Sequence, residues 1–175
     1  MIKQSNQNQD QQYKKNARIN GDYDQIWQNT NKCVFCDLKK KYILLEENEI
    51  ALTINLYPYI DGQLMAIPRK HIRSPKELTP KQWETMRKFS YLAKKMLKKI
   101  YGYKGMWTLI REGGDQAQMT VTDHLHMQFI PFDEANLCQW NFRQLKNTPL
   151  ENTQKFKKQK KLMQDCLKKF SEKYQ

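Results

Sequence analysis

Two histidines and a glutamine stand at alternate positions in Asp123-His124-Leu125-His126-Met127-Gln128. On a β-strand, alternate residues project from one face, so a strand here would present two imidazoles and an amide side by side. A face with no apolar member is unlike a core face; a surface coincidence is the alternative reading of this pattern alone. Cys33-Val-Phe-Cys36 adds two thiols at the spacing of a metal half-site. Thiolates and imidazoles suit tetrahedral zinc, whereas a CxxC by itself also fits a redox pair or coincidence. The chain has only one further histidine, His71. Cys33, Cys36, His71 and His124 would complete a Cys₂His₂ set. Cys138 and Cys166 are not paired by spacing and read as ordinary reduced cysteines.

With His124 as a ligand, His126 is free for chemistry. An imidazole near its ordinary pKa is largely neutral at pH 7, so one ring nitrogen can attack. Attack on a phosphoanhydride displaces the leaving group and forms a phosphoramidate, splitting one hard substitution into two easier ones. Such a site needs donors around the phosphate oxygens. Gln128 and Thr120 flank His126 in sequence and donate without adding charge. Backbone N–H groups of Gly113-Gly114 and of residues 116–120 could form a cradle, or the glycines could be a plain turn.

These residues must be positioned by short strands and one long helix. Residues 42–45 and 50–56 read as strands around the turn Glu46-Glu47-Asn48-Glu49, a hairpin. Tyr57-Pro58-Tyr59-Ile60-Asp61-Gly62 reads as a loop and residues 63–68 as a strand ending at Pro68. Residues 79–101 form the clearest helix: Thr79-Pro80 supplies an N-cap and a Pro at N1, and Gly102 a stop. Its apolar face is expected to hold Trp83, Met86, Ala93, Leu97 and Ile100, widened by Phe89, Leu92 and Met96, with Lys94–Lys99 on a solvated side. Residues 106–111 read as a strand, 112–118 as a polar loop and 121–131 as the strand carrying the histidines. Residues 22–30 read as a short helix.

The ends differ in composition. Residues 1–12 hold five Gln and two Asn, which cannot supply a core, so residues 1–21 are expected to be a flexible polar arm. A domain over 22–148 follows, then a basic amphipathic helix over 149–175. The 175 residues carry 31 Lys+Arg against 18 acidic residues, a formal charge of +13 that favours anionic partners. Mean hydropathy is -0.91 and the apolar runs are short and charge-broken, so no membrane span is expected. The N-terminal residues have no secretory-signal pattern, and four cysteines without one do not suggest disulfides. A cytoplasmic location is expected.

The motif His124-Leu-His126-Met-Gln128-Phe-Ile-Pro131 resembles the histidine-triad (HIT) superfamily, whose pattern is His-x-His-x-His. The stretch Asn55 to His71, with its Pro-x-x-His ending, is similar to that family's strand–loop–strand element, and Cys33-Val-Phe-Cys36-Asp to its zinc hook. Within the superfamily the Tyr-Pro-Tyr loop and the Asp-His-Leu-His run resemble diadenosine tetraphosphate phosphorylases, also labelled ATP adenylyltransferases. The resemblance implies an α+β fold: an antiparallel sheet of about five strands with the long helix packed on it, usually as a homodimer. It implies a nucleotidyltransferase or hydrolase with His126 as nucleophile, Thr120 and Gln128 as phosphate contacts, and Asn55 on the ribose. It also implies a structural zinc on Cys33, Cys36, His71 and His124. The substrate would be a dinucleoside polyphosphate, with orthophosphate favoured over water as acceptor.

Three positions depart from the pattern: Gln128 replaces the third histidine, Gln63 the histidine of a Gly-His pair, and Phe132 an arginine after the motif's proline. The first resembles the transferase branch, since glutamine cannot protonate a leaving group. Against the family pattern, the second places one supporting hydrogen bond in doubt and the third a phosphate contact. A non-catalytic module binding nucleotide or nucleic acid is the competing reading, favoured by the polar arm and the lysine-rich tail.

Overall fold

The computed structural model describes residues 2–23, 33–113, 123–132 and 144–174. The chain divides into two compact units, Met1–Asp133 and Glu134–Gln175. In the first, five strands form one antiparallel sheet: β1 (Ile43–Glu47), β2 (Ile50–Ile54), β3 (Leu64–Pro68), β4 (Gly105–Ile110) and β5 (Met127–Phe132). Their order is β1-β2-β3-β5-β4. The α+β expectation therefore holds, with five strands and one long helix.

Among the described residues, this unit has two long α-helices. α1 spans Ile2–Asn16, where composition predicts a flexible arm. Its last turn carries Lys14 and Lys15, cations suited to a helix C-terminus. The chain beyond it is tied down, because Ala17 is fully buried and Arg18 bonds the loop before β3. α2 spans Pro80–Tyr101. The Thr79 hydroxyl accepts from the Gln82 N–H at 3.2 Å, while the Gln82 amide oxygen accepts from the Thr79 N–H at 3.0 Å. This reciprocal cap satisfies two donors that a helix start leaves orphaned. Gly102 ends the helix at φ 78°, with its N–H on the Lys98 carbonyl.

Alternation along the strands gives the sheet two different faces. One carries Ile50, Leu52, Leu64, Ala66, Met127 and Phe129, which pack with Met86, Phe89 and Ala93 of α2 as the main core. The buried stripe of α2 centres on Phe89, so Trp83 and Ile100, expected on the apolar face, are solvent-exposed. The other face carries Met65 and Ile67, which pack against Phe35 from the Cys33–Cys36 turn. The candidate site lies on this second face.

The hairpin between β1 and β2 is tighter than the four-residue turn expected. β1 runs through Glu47, which pairs with Ile50, leaving Asn48 and Glu49 as a two-residue turn with φ 48° and 61°. Two left-handed residues in succession match the twist of the flanking strands. The Asn48 amide also donates to Thr85 on α2 at 2.9 Å.

The second unit is helical, with α3 (Pro149–Lys157), capped by Thr148, and α4 (Lys160–Tyr174). The single tail helix expected is thus two. Leu150, Phe156, Leu162, Leu167 and Phe170 are solvent-exposed. Among the described residues, no helix is long and apolar enough to cross a membrane. The expected helix over 22–30 lies almost wholly outside the described residues.

Candidate active site and metal centre

The segment 123–126 departs from the expected strand. β5 begins at Met127, and the Leu125 N–H instead donates to the Ile72 carbonyl at 2.7 Å. This bond draws the segment away from the sheet and toward the turn after β3. His71 and His124 thereby come together, their ring centroids 4.8 Å apart. The Cys33–Cys36 turn, closed by the Cys36 N–H on the Cys33 carbonyl, approaches from the other side. His124 Nδ1 lies 3.2 Å from Cys33 Sγ and 3.6 Å from Cys36 Sγ. His71 Nδ1 lies 3.2 Å from Cys36 Sγ.

The four ligand atoms all fall within 4.8 Å of one another, so this cluster could hold a metal ion. Bonds of about 2.0–2.3 Å in a tetrahedral zinc site set neighbouring ligand atoms about 3.3–3.8 Å apart, close to the three sulfur–nitrogen separations above. His124 Nε2–H donates to the Pro68 carbonyl at 2.8 Å, which turns Nδ1 toward the thiols as a lone-pair donor. Desolvation and the neighbouring Cys33 sulfur push the Cys36 thiol above its ordinary value, a cost that a divalent cation removes.

The second half of the site is a chain of hydrogen bonds. His126 Nδ1–H donates to the His124 carbonyl at 2.9 Å, which leaves the lone pair on Nε2. Gln128 Nε2–H donates to that nitrogen at 3.2 Å. Gln63 Nε2–H donates to Gln128 Oε1 at 3.1 Å, and the Tyr59 backbone N–H to Gln63 Oε1 at 2.7 Å. Every amide in the chain both donates and accepts, so its direction is defined throughout. Gln63 therefore supplies the supporting hydrogen bond that the sequence placed in doubt.

His124, His126 and Gln128 are 1%, 6% and 6% exposed, although a polar face was expected to lie outside the core. Phe35 accounts for the difference. Its ring meets His126 edge-on at 4.9 Å between centroids and His124 at 5.8 Å. Burial pushes both imidazoles below the ordinary histidine value, His126 also feeling the Arg111 cation.

The other expected residues fall as follows. Asn55 lies at the end of β2 with its side-chain oxygen on the Tyr57 N–H at 3.0 Å, shaping the Tyr-Pro-Tyr loop. Ile54, the last residue of β2, packs on the main core. Phe132 packs against Trp107, the rings tilted by 33° with centroids 4.1 Å apart, a packing role in place of the missing arginine. Thr120, Gly114, residues 116–119 and Cys138 lie outside the described residues. Sequence reasoning missed Phe35 and Arg111. The one apolar aromatic inside the CxxC, and an arginine two residues before Gly113, were the available signals.

The five-stranded sheet and the His-x-His-x-Gln site define a HIT superfamily protein, a class of nucleotide hydrolases and transferases. More specifically, residues 32–144 match the family described as "Scavenger mRNA decapping enzyme C-term binding", to which the chain belongs. An uncharacterized 16.1 kDa HIT-like protein of Mycoplasma pneumoniae is 29% identical over 130 residues, 69% of this chain and 86% of that one. The crystal structure of a HIT family protein from Bacillus anthracis has a TM-score of 0.60 at 20% identity, covering 74% of this chain and 95% of that chain. The diadenosine triphosphate hydrolase of Plasmodium falciparum has a TM-score of 0.51 at 16% identity, covering 58% of this chain and 68% of that chain.

Proposed function

We propose that the protein transfers a nucleotidyl group from a nucleoside 5′-phosphoanhydride, through an intermediate on His126. The observation that carries this reading is the orientation of His126, whose Nδ1–H is held by the His124 carbonyl while Nε2 keeps its lone pair. In the first step Nε2 forms a bond to phosphorus, the bridging P–O bond breaks, and its electron pair leaves with the displaced phosphate fragment. Gln128 exchanges its bond to Nε2 for one to a phosphate oxygen as Nε2 attacks, and Gln63 keeps its amide aligned. Thr120 is the further phosphate donor and Asn55 the ribose contact in this reading. In the second step an acceptor oxygen attacks phosphorus, the P–N bond breaks, and the imidazole is restored.

Gln128 has no titratable proton, so nothing at this position activates water, and orthophosphate, already anionic, is the favoured acceptor. A dinucleoside polyphosphate is the substrate class, in keeping with the diadenosine triphosphate hydrolase among the structural relatives. Zinc on Cys33, Cys36, His71 and His124 is structural here. With zinc held there, these four side chains would tie the hook to both histidine segments and so fix the carbonyl that orients His126.

The test is trapping. The full chain is incubated with a substrate labelled at the attacked phosphate and quenched in base, where phosphohistidine survives. Label on wild type and none on His126→Ala is the expected result. No label on wild type, or equal label on both, overturns the mechanism. Products resolved with and without orthophosphate then distinguish phosphorolysis from hydrolysis.

A further inference from the structure

Arg18 lies N-terminal to the family-matched region, in the segment after α1. Its guanidinium carbon sits 3.7 Å from the Tyr23 ring centroid and 4.0 Å from that of Tyr59. Its Nε–H donates to the Tyr57 carbonyl at 2.6 Å. A planar cation held by two aromatic rings and by Nε has lost most of its rotamer freedom, so the cost of ordering it for a ligand is already met in the fold.

The other end of Tyr59 meets a second guanidinium: Arg111 Nη1 lies 3.5 Å from its hydroxyl. Ile110 of β4 pairs with Met127 of β5. Arg111 directly follows the last residue of β4 and His126 directly precedes the first of β5, so the two flank this terminal pair of the ladder. The backbone of Tyr59 is the first donor of the chain that ends at His126. One tyrosine thus joins two guanidiniums to the nucleophile.

We infer that Arg18 and Arg111, bridged by Tyr59, form a subsite for the leaving polyphosphate, so that the preferred substrate releases a chain of phosphates rather than a single phosphate or a neutral amine. This rests on the nucleotidyl-His126 reading. Two guanidiniums brought to one tyrosine suit a polyanionic ligand better than a singly charged one. Their forked donors match phosphate oxygens in pairs. The subsite also supplies what Gln128 lacks. As the bridging P–O bond breaks, negative charge builds on the departing oxygen, and fixed cations stabilise it without proton transfer.

The experiment measures base-stable labelling of His126 by adenosine di-, tri- and tetraphosphate carrying the label at the α-phosphate. Wild type, Arg18→Met, Arg18→Lys and Arg111→Met are compared as full-length chains. The wild-type rate is expected to rise about tenfold or more from the diphosphate to the tetraphosphate, the size of one added charge-assisted contact. That ratio is expected to fall toward one in both methionine variants and to be intermediate in Arg18→Lys; Arg111→Lys replaces Arg111→Met if the latter does not fold. A flat wild-type ratio, or the wild-type ratio retained in both methionine variants, overturns the subsite. If wild type takes no label from any nucleotide, the proposed function fails and the subsite is judged by binding of inorganic tripolyphosphate at physiological salt. A tenfold weakening in either methionine variant supports it; no binding, or equal binding by all variants, overturns it.

Discussion

Gln63 Nε2 donates to Gln128 Oε1 at 3.1 Å, so two of the three departures from the family pattern face each other across β3 and β5 in a buried pair. Neither glutamine is a lone loss of a histidine. Each amide satisfies the other, and the pair hands a defined donor to His126 Nε2.

This pairing predicts energetic coupling. Gln63→Leu and Gln128→Leu should each destabilise the fold by about 1–3 kcal/mol, because each leaves a buried amide without its partner. The double variant should lose less than the sum, by about 1 kcal/mol, since neither glutamine is then left facing a missing partner. Thermal or denaturant unfolding of the four proteins measures it, and strict additivity would count against the bond.

Gln128→His should raise hydrolysis relative to phosphorolysis, because an imidazole can move a proton that an amide cannot. Chromatographic separation of products with orthophosphate present gives the ratio. An unchanged ratio argues against the transferase reading.

The Cys33–Cys36–His71–His124 cluster predicts about one zinc per purified chain, read by elemental analysis. Cys36→Ser should remove most of it, and chelation should lower Tm by roughly 10 °C, since metal binding is coupled to folding. Full metal retention in Cys36→Ser would show that these atoms are not the ligands.

Two backbone positions predict opposite shifts. Glu49 adopts φ 61°, so Glu49→Gly should stabilise by roughly 1 kcal/mol. Gly62 has φ 81°, and a Cβ there would come within 2.7 Å of Tyr101 Cε2 and 2.9 Å of Leu97 Cδ2. Gly62→Ala should therefore destabilise by about 2–3 kcal/mol and disturb the adjacent Gln63. Differential scanning calorimetry checks both signs.

Glu77 accepts the backbone N–H groups of Arg73 and Ser74, and these bonds hold its carboxyl below the ordinary value of 4.5. A depressed folded-state pKa contributes stability that is present above the unfolded value and lost as pH falls through the folded one. The stability difference between wild type and Glu77→Gln should therefore be largest near pH 7 and shrink as the carboxylate protonates below about pH 4. Urea unfolding at several pH values tests it; a difference that does not change with pH removes the claim.

The amino-acid sequence by itself determined the elements and the chemistry types. Periodicity, Thr79-Pro80 and Gly102 were enough for α2, because caps and helical spacing are local properties. Alternation located β1 to β4 to within two residues but started β5 too early, and the restricted set of cysteines and histidines was enough to nominate the cluster that the fold assembles. Composition did not point to the helix over Ile2–Asn16, whose following segment is held by contacts distant in sequence. Only the tertiary structure decided what each polar group faces. The Ile72–Leu125 bond pulls His124 off the strand, Phe35 buries a face that alternation marks as open, and Gln63 meets Gln128 across 65 positions of chain. Those outcomes depend on sheet register and on a loop folding over a distant strand, and neither is encoded in the spacing of any one segment.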